Sequence, residues 1–107
     1  MAYDQLVANR VRKALNDIDH IEEKTMFGSL GFMVKGKLNL CVRKENVMYK
    51  VGNKIADEAI ASAEAEPVIM RDRIMKDWVY VDSSKLDEPS VFNKWLASAL
   101  DFNKHKH

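Results

Sequence analysis

The sequence predicts a two-layer α+β fold, an antiparallel β-sheet packed with about three helices, and three observations carry that expectation. Apolar residues recur at helical spacing near both ends of the chain. From His20 to Val51 the period drops toward two, with turn punctuation at Gly28, Gly31, Gly36 and Glu45-Asn46. Two further short β-rich runs, Pro67 to Met70 and Trp78 to Val81, follow a second helical stretch. No repeat, linker or low-complexity tract interrupts the order, so residues 1–107 read as a single domain.

Each element has a local reason. Leu6, Val7, Val11, Ala14, Leu15 and Ile18 form one stripe of a first helix, with Asn9, Arg12, Lys13 and Asn16 opposite. The glycine spacing that follows suits a meander of strands better than a helix. Asn53 is placed to cap a second helix running to about Ala63, with Asp57 and Glu58 early, where the helix dipole favours them. The last helix takes Asp87 as its cap and Pro89 in its first turn, with Val91, Phe92, Trp95, Leu96, Ala99 and Leu100 along one face. Residues 103–107 read as a frayed tail.

Composition narrows the function classes. Seventeen Lys plus Arg against sixteen Asp plus Glu leave a formal charge of +1, which argues against a surface wholly built for nucleic acid. One cysteine excludes an intrachain disulfide and suits a reducing, cytoplasmic setting. The chain holds no apolar run of membrane-spanning length, and its start lacks the apolar stretch of a signal peptide, so a soluble protein without membrane contact is expected.

The hairpins define two sheet faces. With Lys35-Gly36-Lys37 as a three-residue bend, Val34 meets Leu38, Phe32 meets Leu40 and Leu30 meets Val42. With Glu45-Asn46 as a two-residue turn, Val42 meets Tyr49 and Leu40 meets Val51, extending the same apolar surface toward the helices. The other face collects Met33, Asn39, Cys41, Arg43, Met48 and Lys50, a mixed chemistry expected where a partner or a second copy docks. This register sets Cys41 opposite Lys50 and near Arg43, a setting that favours a thiolate.

Other constellations are thin. Gly31 to Leu38 matches phosphate-loop spacing only as far as Lys37; Leu38 stands where the magnesium-binding hydroxyl belongs, and the context is strand rather than helix. Gly28-Ser29-Leu30-Gly31 lacks the three-glycine dinucleotide fingerprint and reads as a bend or bulge. His105 and His107 alternate on a tail without fixed companions, and His20 reads as a junction residue. The acidic pairs Glu22-Glu23, Asp57-Glu58 and Asp87-Glu88 are sequence neighbours, which do not face each other to share a proton. No catalytic residue, metal ligand or cofactor is therefore expected. Charge is uneven, however: Lys35, Lys37, Arg43, Lys44, Lys50 and Lys54 form a basic stretch, and Arg71 and Arg73 stand in the connection before Trp78.

Met26-Phe27-Gly28-Ser29-Leu30-Gly31-Phe32-Met33, Gly36-Lys37, Leu40-Cys41-Val42, Tyr49-Lys50-Val51-Gly52, Met75 to Val81, and Trp95 with Ala99 to Phe102 together resemble the TfoX N-terminal-domain family. The resemblance covers nearly the whole chain. Ser29 and Asp77 stand where the family often has glycine, and Ile74 where proline is common. The family implies an antiparallel α+β fold similar to YjbR-like and secretion-chaperone-like domains, an association with TfoX/Sxy regulators of natural competence, and no known catalytic residues. Full regulators of that kind carry a further C-terminal domain, and the chain is expected to be a stand-alone N-terminal domain.

The resulting expectation is a non-catalytic interaction or regulatory module. Its candidate partner-binding residues are Met33, Cys41, Arg43, Lys44, Met48, Lys50, Arg71 and Arg73, and its partner is a protein, a second copy included. Two alternatives remain open: a nucleic-acid accessory using the local basic patch, and a redox sensor or enzyme centred on Cys41.

Overall fold

Asp4 caps the first helix, its carboxylate accepting from the backbone N–H groups of Leu6 and Val7 at 3.0 and 3.2 Å. In the computed structural model, which describes residues 3–26 and 28–105 (residue 105 by its backbone), helix α1 spans Gln5–Ala14. Phe27, His107 and the side chain of His105 lie outside that description. Strands β1 (Ile21–Met26), β2 (Ser29–Val34), β3 (Lys37–Val42) and β4 (Asn46–Lys50) form the expected meander. Helix α2 (Asn53–Ala61), β5 (Glu66–Met70), β6 (Arg73–Asp82), a 3-10 turn at Ser83–Asp87 and α3 (Pro89–His105) complete the chain.

The strands make one six-stranded antiparallel sheet in the order β1-β2-β3-β4-β6-β5. Strand β6 inserts between β4 and β5, so α2 and β5 form the crossover. Edge strand β1 carries Glu22, Glu23 and Lys24 outward, which discourages a second chain from pairing there. Arg12 of α1 reaches that edge through two parallel bonds of 2.8 Å to Glu23, and this holds the Glu23 carboxyl below its ordinary range.

All three helices cover one face. Val7, Ala8 and Val11 of α1, Ala56 and Ala59 of α2, and Phe92, Trp95, Leu96 and Ala99 of α3 share a core with Leu30, Phe32, Leu40, Val42, Val47, Tyr49, Val79 and Val81. Trp95 stacks on Tyr49 with ring centroids 6.0 Å apart. The pairs Leu30 with Val42 and Phe32 with Leu40 are those the alternation required.

Beyond them the register departs from expectation in two places. The β2–β3 loop has two residues, not three: Val34 pairs with Lys37, Met33 with Leu38, and a bulge leaves Asn39 without a partner on β2. Lys35 and Gly36 take φ of 53° and 81°, the positive values of a type I′ turn. The bulge turns Asn39 to the helical face, correcting its assignment to the reverse, and its amide donates to the Ala99 carbonyl of α3 at 2.8 Å. Leu38 goes to the reverse face.

The β3–β4 register slips by two residues. Leu40 pairs with Tyr49 and Val42 with Val47, because the bend falls at Lys44-Glu45 and Arg43 donates its backbone N–H to the Asn46 carbonyl at 2.9 Å. A shift of two preserves the face of every side chain, so the core survives the error. It also moves Cys41 opposite Met48, not Lys50.

Helix boundaries differ in detail. Gly52 occupies the cap position of α2 and Asn53 is already helical. Asp87 closes the 3-10 turn that Asp82 caps through Ser84, rather than capping α3. Helix α3 continues past Phe102 because Asn103 is buried and donates to the Val34 carbonyl at 3.1 Å. The polar connection expected before Trp78 is itself hairpin, with β6 starting at Arg73.

Candidate functional site: a methionine-lined cleft on the reverse face of the sheet

The side chains that alternation sends away from the helices form a second, smaller apolar cluster of Cys41, Met48, Val68 and Trp78, with Met26, Leu38 and Tyr80 packed against it. Among the described residues, none from a helix belongs to this cluster. Part of its cover comes from the β5–β6 hairpin. Between the pairs Pro67–Val79 and Ile69–Ile74, β5 advances two residues while β6 advances five, so β6 carries an irregular bend. Within that bend the Asp77 carbonyl accepts from Val51 and Gly52 at 2.8 and 3.1 Å. The far half of the hairpin brings Met70, Arg71 and Met75 onto the same surface as Met26 and Met48.

The result is a cleft of about 520 Å³. Strands β1 to β4 contribute Met26, Ser29, Leu38, Cys41 and Met48, and the β3–β4 connection Arg43; the hairpin adds Met70, Arg71, Met75, Trp78 and Tyr80. Its volume falls within the range of roughly 300–1,000 Å³ common for binding clefts. Four of the chain's six methionines line it. Methionine is unbranched and polarizable, so such a wall adapts to apolar groups of differing shape.

Gly31 shapes one end. A Cβ built there would sit 2.7 Å from Met26 Cε and 2.9 Å from Leu38 Cδ1, so the missing side chain is the space these two residues occupy. This is a steric role, distinct from the turn expected of the Gly28–Gly31 segment. Gly28, at φ 79°, serves the turn between β1 and β2.

At the rim, the Arg43 guanidinium lies over the Tyr80 ring, 4.9 Å from its centroid. Arg71 occupies the first position of the two-residue β5–β6 loop, where it and Asp72 adopt φ of 51° and 63°. Among the lining residues there is no Asp or Glu.

The structure thus gathers Cys41, Arg43, Met48 and Arg71 from the expected set. Met33 lies beside the cleft, half-buried and paired with the lining residue Leu38. Lys44 sits on the β3–β4 bend, and Arg73 faces Met70 across the hairpin without lining the cleft. Lys50 belongs elsewhere: its ammonium is 6.0 Å from the Trp78 ring centroid and 5.9 Å from that of Phe102. Residues that sequence reasoning missed as site residues are Met26, Ser29, Leu38, Met70, Met75, Trp78 and Tyr80.

Cys41 forms part of the cleft floor, 4% exposed. Burial pushes its thiol above the ordinary range, opposed in part by the Ser29 hydroxyl and the Arg43 charge. This differs from the activated thiolate expected from a Lys50 neighbour. Alkylation by iodoacetamide, followed by mass spectrometry across pH, is expected to run at least about tenfold slower at pH ~8.5 than with a free thiol. A rate equal to the free thiol would show an open, reactive sulfur. The sign of the linked stability follows. The unfolded thiol ionises near pH ~8.5 while the folded one keeps its proton, so this contribution is complete below that pH and declines above it.

The fold and the cleft define a two-layer α+β domain with a helix-covered core face and a recessed apolar reverse face. The chain belongs to the TfoX N-terminal domain family, whose model matches residues 13–103 of the 107. Comparison with curated proteins and with solved structures finds no match. Among the described residues, no helix is long and apolar enough to cross a membrane.

Proposed function

We propose that this domain is a non-catalytic interaction module that docks an apolar segment of a partner protein in the reverse-face cleft. The cleft itself carries the reading: four methionines, a leucine and two aromatic rings line a recess on the sheet face to which, among the described residues, no helix contributes. Adaptable apolar walls with arginine at the margin are the chemistry of protein contact surfaces. The family's association with regulators of natural competence supports the same reading, since a regulatory domain without its own chemistry acts by engaging other proteins. Its cytoplasmic placement belongs to this proposal.

The test uses Met70→Glu/Met75→Glu. These side chains are 44% and 37% exposed, so new charges there cost little folding energy while placing anions in the cleft. Native and variant chains, each immobilised, are offered a lysate of the source cell, and the retained proteins are quantified by mass spectrometry. A defined partner held at least tenfold less by the variant is the expected result. Identical retention by the two would remove the cleft from the interaction. Light scattering separates the self-association case: a dimer that the variant converts to monomer makes the occupant a second copy.

A further inference from the structure

We infer that the cleft selects an acidic as well as apolar segment of its protein partner, an inference that rests on the docking reading above. Floor and rim differ in chemistry. The floor is thioether, leucine and indole, whereas the only charged side chains lining the cleft are Arg43 and Arg71. Among the described residues no carboxylate pairs with either. Arg43 lies over the Tyr80 ring, a contact made to the aromatic face that takes up none of the planar fork of N–H donors with which a guanidinium binds a carboxylate.

Arg71 supplies the second cation. It holds the first place of a type I′ loop, where glycine, asparagine and aspartate are favoured because both central residues need positive φ. The β2–β3 loop of the same length places Lys35 and Gly36 at these positions, at φ 53° and 81°; the β5–β6 loop places Arg71 and Asp72, at φ 51° and 63°. Both loops thus carry a basic residue at the first place, and what sets Arg71 apart from Lys35 is that it lines the cleft. Two cations with no carboxylate partner among the described residues, beside an apolar recess, attract carboxylates and repel basic segments, which sets selectivity as much as affinity.

A random twelve-residue peptide library displayed on phage, selected against the intact chain, tests this directly. Expected winners combine Asp or Glu with Leu, Met, Phe or Trp and perturb the fluorescence of Trp78, with core-buried Trp95 as background. Synthetic copies should bind Arg43→Glu/Arg71→Glu at least tenfold more weakly, and selection on that variant should enrich Lys and Arg.

Arg71→Asn separates a binding role from a structural one. It relieves the turn, so the melting temperature should rise while peptide affinity falls; unchanged affinity would overturn the role of Arg71. Apolar winners without acidic bias, acidic winners indifferent to charge reversal, or displacement by duplex DNA with steep salt dependence would each overturn the acidic selectivity. No winner that reports through Trp78 would instead sink the docking reading itself.

Discussion

Trp95→Ala is expected to lower the unfolding free energy by about 3–5 kcal/mol, measured by urea titration. Trp95 is 1% exposed, stacks on Tyr49 at 6.0 Å, and anchors α3 against the middle of the sheet. Deleting the indole removes its transfer energy and leaves a void that β-strands locked in a six-stranded ladder cannot close. Domains of this size have about 5–15 kcal/mol in total, so the variant would sit near the threshold of folding. The void would also open beside the Tyr49 ring, whose hydroxyl is buried without a hydrogen-bond partner among the described residues and whose ionisation burial pushes upward. A loss below about 1 kcal/mol would mean that α3 is held chiefly by other contacts.

Gly52→Ala is the second large effect. Gly52 sits at φ 90° and ψ 154°, a region open essentially to glycine alone, at the cap of α2. Backbone strain alone is worth about 1–3 kcal/mol for another residue there. The new methyl would lie 2.8 Å from two carbons of the Phe102 ring, so that ring must be displaced from its seat on α3. Gly36→Ala is the informative control, because Gly36 has φ 81° but nothing within 4 Å of the added carbon, and about 1 kcal/mol is expected. Equal losses at the two sites, read from paired thermal melts, would show that Phe102 yields freely.

Much of the fold was legible because alternation is a local property. Leu30 with Val42 and Phe32 with Leu40 follow from spacing alone, and the two-residue slip between β3 and β4 left every side chain on its expected face. The bulge was not legible. Asn39 stands between two leucines, and its acceptor is a carbonyl 60 residues away in α3, so no nearby residue announces that its amide belongs in the core. The site was half legible for a related reason. Cys41, Arg43 and Met48 come from a meander whose register could be argued, whereas Met70 and Met75 join them only through the bend in β6. Their one signal was the clustering of methionine around Arg71-Asp72-Arg73, which reads in isolation as a charged loop. Nor could spacing show that Lys50 leaves the cleft to lie between Trp78 and Phe102.

The pleat of β3, β4 and β6 keeps what holds the molecule together apart from what it presents outward. Leu40, Tyr49 and Val79 answer to the helices, while their neighbours Cys41, Met48 and Trp78 answer to the cleft. Neighbouring codons therefore face separate selective pressures, and the recess is free to acquire a new preference without renegotiating the scaffold. Relatives sharing this architecture should diverge at every second position along these strands.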